Sequence, residues 1–589
     1  MSVLKVILTM LLLALSLVSF PDEVPATGMS QKNMNKPEWI LDNQLYQVYT
    51  NVSSETYPLQ TDLSMGKGTG SAGYYWIGFT DKQFTPHTIH HPETFLSQRS
   101  VMRRKNQGIV IENSDLPVSP AYLDSLAKDH RVQIRYSSRW LNGAVILLSD
   151  GDALPDLQNY PFVSDTRLLK PYPDTDKHLT GTETIISNID YEPLNTQITQ
   201  LNGHHLHEKG MRGEGIMIAV FDAGFKDVNT LNGFADLRYS GRLAGIKDFV
   251  DHDADIFSQH PHGTYVLSVM TADIPGELIG TAPGAYYWLF RTEDTSSEYM
   301  IEEYNWLAAA EFADSIGADI INSSLGYTTF DDPSQNYFYP DMDGNTTVVA
   351  KAAGKASQRG MLVVNSAGNY GQQEWKYIGS PADNEYVLSV GAVDRFGEKV
   401  PFSSIGPTAD NRIKPDVMAM GRDVVLAGLN NTTVYGSGTS FSAPIIAGLA
   451  ACLWQEHRYL SSIELKKAII KSAHNYNAAN NFIGHGIPDF KMASENLQQM
   501  LDNSKLTINP NPANRASSIR FYSDTDQIIQ VELFNLKGQK IAHTKEISVS
   551  QGYNTIFPLL DHEFQTNGFY IIHLTSNDQR HSVKCLITN

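Results

Sequence analysis

One serine of the chain lies where a nucleophile is readily activated. Ser440 belongs to the stretch Gly-Thr-Ser-Phe-Ser-Ala-Pro at 438–444, and an apolar run typical of a buried helix follows it directly. At a helix N-terminus, unpaired N–H groups and the helix dipole favour a developing negative charge. A serine hydroxyl also needs a base that takes its proton, a group that orients this base, and a donor for the oxyanion. The rest of the chain must supply these three groups.

Three further residues have the types and positions for these roles. Asp222 ends an apolar run that is typical of a buried parallel strand, His262 opens a second apolar helix, and Asn369 follows another buried strand. Functional residues of open α/β sheets gather outside the carboxyl ends of the strands. The pattern therefore predicts that these three residues share one crevice with Ser440.

The same positions give the chain a resemblance to the subtilisin-like serine peptidases. The order Asp, His, Asn, Ser is that of the family, as are the words Asp-Ala-Gly, His-Gly-Thr, Ala-Gly-Asn and Gly-Thr-Ser-Phe-Ser-Ala-Pro. Ala223 departs from the many relatives that carry Ser or Thr after the aspartate, and this change leaves the triad intact. The resemblance implies an α/β fold, a mostly parallel sheet with helices on both faces.

The resemblance also implies a secreted serine endopeptidase that forms an acyl-enzyme on Ser440. His262 would act as general base and then general acid, and Asp222 would orient its ring. The side-chain amide of Asn369, together with the backbone N–H of Ser440, would bind the oxyanion.

Substrate would lie extended along one backbone segment and add a strand to it. The residues expected to bind substrate are Ser324, Leu325, Gly326 and Gly368. Tyr370, which follows the oxyanion residue, offers no carboxylate, so the sequence gives no support for a strong cationic preference before the scissile bond. Protein or peptide substrates are the expected partners.

Other residue groups carry weaker signals. The chemistry needs no cofactor, although many subtilases hold structural calcium, and the loops 341–345 and 251–255 are rich in oxygen ligands. Neither loop has specific ligand spacing, so a solvated turn is the favoured interpretation. The His-His-Leu-His run at 204–207 is interpreted as a polar lead-in rather than a metal site. Two cysteines, Cys452 and Cys585, make no disulfide framework.

The N-terminus has the pattern of a secretory signal peptide, expected over residues 1–24. Lys5 precedes an apolar run from Val6 to Val18, which is too short to span a bilayer comfortably. No later stretch approaches 18 apolar residues, so no transmembrane segment is predicted. The net charge of −19 argues against nucleic-acid binding.

Residues 25–185 are predicted to be a propeptide region with a folded α+β block at about 73–172. Strands are expected at 74–80, 132–136, 143–148 and 162–168, and helices at 95–106 and 119–128. This block resembles the propeptide of the family, which assists folding and covers the active site until it is removed; a permanent accessory domain is the alternative. The peptidase domain is expected over 195–500, with one long crossover helix at 301–316.

The tail at 505–589 is predicted to be an all-β sandwich of short alternating strands separated by turn residues. Asn-Pro-Asn-Pro-Ala, Leu-Phe-Asn-Leu-Lys-Gly-Gln and Gly-Phe-Tyr-Ile-Ile-His-Leu resemble the C-terminal sorting domain of the type IX secretion system of Bacteroidetes. The resemblance implies the type IX machinery as partner and a secreted or cell-surface location. A generic substrate-binding sandwich is the alternative.

Two other functions fit parts of the pattern. A sedolisin-like peptidase shares the Ser-Gly-Thr-Ser word but uses a glutamate base, and the His-Gly-Thr word argues against it. A non-catalytic surface binding protein on a subtilase scaffold is the second alternative, and the four intact catalytic positions argue against that.

Overall fold

A computed structural model of the chain describes residues 71–587, and the predicted signal peptide lies outside them. Most of the predicted linker between propeptide and peptidase also lies outside the described residues. Gaps in the description fall at 173–183, 187–195, 253–254, 459, 504–505, 510–512, 514–516, 524, 544–545, 551, 557–566 and 577–579.

The N-terminal block is a four-stranded antiparallel sheet with helices beside it. The strand order is β2-β3-β1-β4, and side chains such as Ile77 and Ile146 are fully buried beneath it. The elements are β1 (Gly73–Phe79), α1 (Gln98–Gln107), α2 (Pro120–Ala127), β2 (Val132–Ser138), β3 (Gly143–Leu148), α3 (Leu154–Gln158) and β4 (Val163–Pro171).

Helix α1 begins three residues later than the sequence predicts. Residues 92–94 form a separate 3-10 turn, and the Ser97 hydroxyl then accepts the N–H of Ser100 as an N-cap. The helix ends at Gly108, whose φ of 70° is a left-handed conformation that glycine adopts without strain. The apolar residues at 95–96 therefore belong to the approach to the helix.

The central sheet has seven strands, all paired in parallel, in the order β14-β13-β12-β11-β6-β10-β7. Because parallel strands need crossover connections, long segments join them, and four of the six connections contain a helix. The strands are β6 (Met217–Asp222), β7 (Leu243–Asp248), β10 (Tyr286–Arg291), β11 (Ile320–Ser323), β12 (Leu362–Ser366), β13 (Leu388–Val393) and β14 (Val417–Met420).

Helices separate most of these strands along the chain, but none lies between β12 and β13 or between β13 and β14. The helix at Ile301–Ile316 matches its predicted bounds and ends at Gly317, whose φ is 83°. The helices are α4 (Thr196–Thr199), α5 (His204–Glu208), α6 (Ala235–Tyr239), α7 (His262–Thr271), α8 (Ile301–Ile316), α9 (Val348–Gln358), α10 (Thr439–Glu456), α11 (Ser462–Lys471) and α12 (Phe490–Asn503).

Alternation along β6 divides the helices between the two faces of the sheet. Ile218 and Val220 belong to the same core as the apolar side chains of α7 and α10. Phe221 points to the other face, where its ring lies 5.2 Å from that of Trp306 in α8. Because side chains alternate along a strand, Asp222 shares the face of Val220 and is directed towards α7. The predicted fold, with helices on both faces, is confirmed.

Short antiparallel elements complete the peptidase region. They are β5 (Thr184–Ile186), β15 (Val424–Ala427) and β16 (Thr433–Ser437) in one sheet, and β8 (Asp273–Ile274) with β9 (Leu278–Ile279) in another.

The C-terminal strands pair antiparallel around a separate apolar core that includes Ile519, Ile529 and Ile572. One sheet has the order β17-β18-β22, and the other has the order β20-β19-β23-β24 with β21 beside β19. The strands are β17 (Leu506–Asn509), β18 (Ser518–Ser523), β19 (Gln527–Asn535), β20 (Lys540–His543), β21 (Ile547–Val549), β22 (Gly552–Ile556), β23 (Gly568–Thr575) and β24 (Arg580–Ile587).

A buried carboxylate of α8 holds the N-terminal block against the peptidase region. Asp314 is fully buried and pairs with Arg103 at 2.5 Å and with Arg104 at 2.6 Å. Arg139 adds a third contact at 2.5 Å. Burial alone would raise the pKa of Asp314, but the three guanidinium groups hold it well below its usual range. The contact between the N-terminal block and α8 thus depends on charged side chains from both.

Replacing Asp314 with alanine should destabilise the full chain strongly, because three buried arginines would lose a shared counter-ion, although Arg104 would keep another, Asp115. In the Ser440→Ala background, chosen to exclude any self-processing, we expect a loss of about 3–5 kcal/mol in the free energy of unfolding at neutral pH. The measurement is urea unfolding of the full chain. Since the pKa of Asp314 is lowered, the difference from the parent should shrink as the pH falls below about 4.

The matched control is Glu495→Ala, which breaks an exposed pair with Lys491 on one helix and should cost less than about 0.5 kcal/mol. A loss for Asp314→Ala that is no larger than this control would show that the arginine cluster contributes nothing to the docking.

Candidate active site

The parallel sheet brings three of the predicted site residues to one edge. Asp222 is the last residue of β6, Ser324 directly follows β11, and Asn369 lies three residues beyond β12. Strand β11 pairs with β6 on one side and with β12 on the other. The carboxyl ends of these neighbouring strands therefore meet, as the sequence predicts.

Asp222 and His262 are joined by a hydrogen bond. The imidazole Nδ1 lies 2.8 Å from the Asp222 Oδ1, and the carboxylate is completely buried. The backbone N–H of Ala223 donates to the same oxygen, also at 2.8 Å. A charged buried acceptor of this kind holds the proton on Nδ1 and leaves Nε2 as the basic nitrogen.

Gly263 permits the close approach of strand β6 and helix α7. A Cβ at this position would lie 2.9 Å from the Cβ of Asp222 and 2.3 Å from the carbonyl oxygen of Gly224. No side chain fits there without a backbone shift, so the glycine of the His-Gly-Thr word has a steric role.

Ser440 lies in the first turn of α10 and is 4% exposed. Its hydroxyl is 3.5 Å from the carbonyl oxygen of Ser324, a long contact, while the Ser324 hydroxyl donates to the Ser440 carbonyl at 2.8 Å. The ring of the next residue, Phe441, lies 6.2 Å from the His262 ring between centroids. The His262 ring therefore lies near the start of α10, and a hydrogen bond from a serine to such a ring commonly tightens only when substrate binds.

Thr439 orients the Asn369 side chain, a role that the sequence analysis did not assign. The Asn369 Oδ1 accepts the backbone N–H of Thr439 at 2.9 Å and its hydroxyl at 3.0 Å. With the oxygen engaged by two donors, the amide NH₂ is the end available to an oxyanion. The sequence could have indicated this role of Thr439, because the residue directly precedes the candidate nucleophile.

The predicted substrate segment has an open surface at Gly326. A Cβ there would meet nothing closer than the carbonyl oxygen of Ser380 at 3.8 Å. The carbonyl of Leu325 is fixed by the Asn365 side chain at 2.9 Å. Gly368 has a φ of 102°, a conformation that L side chains rarely adopt. The segment is thus held in place and accessible for backbone pairing.

A buried carboxyl near Asp222 was missed by the sequence analysis because it belongs to no motif. Glu293 is 9% exposed, and it accepts the Tyr327 hydroxyl at 2.7 Å. Burial raises the pKa of Glu293 to about 7, and the negative charge of Asp222 acts in the same direction. Burial also raises the pKa values of Glu298 and Glu302 nearby.

The oxygen-rich loop at 341–345 uses its carboxylates for local hydrogen bonds. Asp343 accepts the backbone N–H groups of Asn345 and Thr346, and Asp341 accepts that of Phe338. Across the described part of the chain, no group of three or more His, Cys, Asp or Glu side chains is arranged to hold a metal ion. In this structure the loop is a hydrogen-bonded turn.

The other groups singled out in the sequence have structural surroundings. His207 lies 2.9 Å from the carbonyl oxygen of Thr281. Cys452 and Cys585 are both buried free thiols. In the described residues no helix combines the length and the apolar character needed to cross a bilayer.

Neutralising Glu293 should stabilise the protein at alkaline pH. The neutral form of a carboxyl with a raised pKa contributes fully below about pH 4.5, and this contribution is lost as the pH rises towards 7. In Glu293→Gln with Ser440→Ala, the free energy of unfolding should exceed that of Ser440→Ala by about 2–3 kcal/mol at pH 8 and match it at about pH 4. Urea unfolding at both pH values measures this.

Glu398→Gln, which replaces an exposed carboxylate, is the control and should change the free energy of unfolding at neither pH. Equal stability of Glu293→Gln and its parent at pH 8 would mean that Glu293 is ionised in the folded protein without penalty.

Comparisons with known proteins divide the chain into three matched segments. Residues 213–486 match the subtilase family. Residues 74–182 match the peptidase S8 propeptide domain of Bacteroidota, and residues 507–588 match the secretion system C-terminal sorting domain. The last match implies export to the cell surface or the medium.

Two relatives illustrate the similarity of the central segment. The chain is 31% identical over 280 residues to the thermophilic serine proteinase of Bacillus sp. (strain AK1), which covers 47% of this chain and 61% of that protein. It is 26% identical over 300 residues to subtilisin DY of Bacillus licheniformis, covering 51% and 97%.

A solved structure of MycP1 from Mycobacterium smegmatis aligns with a TM-score of 0.42 and 20% identity, covering 55% of this chain and 90% of that one. The central segment at 213–486 is therefore a subtilase-family segment, and it lies between a segment that matches a Bacteroidota propeptide domain and one that matches a secretion sorting domain.

Proposed function

We propose that this protein is a secreted endopeptidase that hydrolyses peptide bonds of proteins through an acyl-enzyme on Ser440. The observation that carries the proposal is the buried Asp222–His262 hydrogen bond of 2.8 Å beside the serine at the start of α10. This arrangement provides a nucleophile, a base and a group that orients the base.

In the first half-reaction, His262 Nε2 takes the proton of the Ser440 hydroxyl as the oxygen attacks the substrate carbonyl. Asp222 stabilises the imidazolium that forms and itself stays ionised. The imidazolium then gives its proton to the leaving amine, which departs as the acyl-enzyme forms. In the second half-reaction, a water molecule repeats the attack with the same base, and Ser440 is released.

The tetrahedral intermediates carry a negative oxygen, and two donors would bind it. One is the Ser440 backbone N–H in the first turn of α10, and the other is the Asn369 amide, oriented by Thr439. Donors fixed in advance need no reorganisation as charge develops, which lowers the barrier.

We also propose a pre-pro-protein with four parts. Residues 1–24 are the signal peptide, 25–185 the propeptide region, 195–500 the peptidase domain and 505–589 the sorting domain, which the type IX secretion machinery would recognise. The charged contact between Asp314 and the arginines of the N-terminal block supports a propeptide that docks as a unit.

The test of the peptidase assignment is hydrolysis of casein by the secreted protein, wild type beside Ser440→Ala, with N-terminal sequencing of both products. We expect wild type to lose the 73–172 block and to cleave casein, and the variant to do neither. If both proteins keep the block and both are inert, the non-catalytic binding protein becomes the better account.

Removing the oxyanion donor should lower turnover without affecting substrate binding. For Asn369→Ala we expect kcat to fall by about 10²–10³ with KM nearly unchanged, the magnitude established for such a donor in a subtilisin. Thr439→Val removes only one of the two bonds that orient the amide, so a loss of about fivefold in kcat is expected.

Steady-state kinetics on a peptide anilide measures both effects. A change confined to KM in either variant would contradict the role given to the Asn369 amide.

A further inference from the structure

The substrate side chain that precedes the scissile bond can bind in only one part of the candidate site. Its carbonyl must lie between Ser440 and the Asn369 amide, and its backbone would run along the 324–326 segment. The side chain then enters the gap between this segment and the backbone that ends β12 at 366–368. The residues in that gap decide which side chains the site accepts.

The Tyr370 side chain lies in this gap. Its hydroxyl is placed to donate to the carbonyl oxygen of Gly326 at 3.4 Å, which ties it to one wall. A Cβ on Gly368, in the opposite wall, would lie 2.9 Å from Cδ2 and Cε2 of the Tyr370 ring. The ring therefore spans the distance between the two walls.

The far end of the gap is also in contact with this ring. A Cβ on Gly379 would lie 3.5 Å from Cε2 of Tyr370 and 3.4 Å from the methyl group of Thr328. Three glycines thus surround a space that a larger side chain would enter if Tyr370 were absent. The tyrosine occupies the space that these glycines leave.

The backbone of Tyr370 is fixed as well. Its backbone N–H donates to the Ser404 hydroxyl at 3.0 Å, and the residue before it is Asn369, whose amide oxygen is held by Thr439. Moving the ring out of the gap would break the bond to Gly326 and its packing against Gly368. A large substrate side chain would have to displace the ring, whereas a small one would not.

We propose that Tyr370 is a specificity-determining residue that fills the pocket before the scissile bond and restricts this position to small uncharged side chains such as Ala, Gly and Ser. The inference rests on the proposed function and names its substrate class. Shape carries the restriction, and the tyrosine hydroxyl contributes only by holding the ring in place.

The test uses the processed enzyme with two anilide substrates, succinyl-Ala-Ala-Pro-Ala and succinyl-Ala-Ala-Pro-Phe p-nitroanilide. For wild type we expect kcat/KM to favour alanine over phenylalanine by at least about tenfold. In Tyr370→Ala the preference should reverse, with a change in the ratio of about 100-fold or more. Because each ratio is taken within one variant, a general loss of activity cancels.

Tyr370→Phe is the matched control, since it keeps the ring and removes the hydroxyl, and it should retain the preference for alanine. If Tyr370→Ala proves unstable, Tyr370→Leu provides a partial opening and should shift the ratio in the same direction. A wild type that cleaves casein and prefers phenylalanine overturns this inference alone. A wild type that cleaves neither casein nor any anilide overturns the proposed function, and the inference with it.

Discussion

The hydrogen bond between Asp222 and His262 is the contact on which the candidate site depends. A completely buried carboxylate is costly unless it is paired, and Asp222 finds its partners at the end of a strand buried on both faces. This pairing requires β6 to deliver the aspartate on the face of α7 and Gly263 to let the two elements approach. The parallel sheet, the helix start and one glycine therefore serve a single contact.

The same sheet edge explains why the remaining groups converge. The candidate substrate segment follows strand β11, and the candidate oxyanion residue follows strand β12. The serine lies in the first turn of α10. Thr439 links the last two parts, because its backbone and hydroxyl both hold the Asn369 amide. Thr439, which positions the candidate oxyanion donor, is thus the neighbour of the candidate nucleophile Ser440 at the start of α10.

Charge burial has a different role between the domains. Asp314 of α8 and its arginines of the N-terminal block are buried together where the two parts of the chain meet. Replacing such groups with apolar residues can give equal or greater stability, so burial of ions is weak evidence for stability as such.

Much of the fold could be predicted from local patterns. The run at 301–316 gave correct helix bounds because its apolar spacing is helical and Gly317 ends it. Helix α1 was placed too early because apolar residues at 95–96 outweighed the capping signal of Ser97. Strands β20, β21 and β24 were not predicted; β20 and β21, with four and three residues, are too short to give a periodic signal.

The candidate site was predictable where chemistry and motif coincide, as at Asp222, His262 and Ser440. Contacts between distant segments were not predictable in this way. No local pattern indicates that Tyr370 contacts the carbonyl oxygen of Gly326, that Glu293 lies near Asp222, or that Asp314 faces three arginines. These depend on the packing of loops and domains that are far apart in sequence.

The most direct test of the central claim is to locate a fluorophosphonate adduct by peptide mass spectrometry on the processed protein. The account predicts one adduct per chain, on the peptide that contains Ser440, and no adduct in His262→Ala or in urea-unfolded protein. An adduct on another serine, or casein hydrolysis by a protein that takes no label at Ser440, would contradict it.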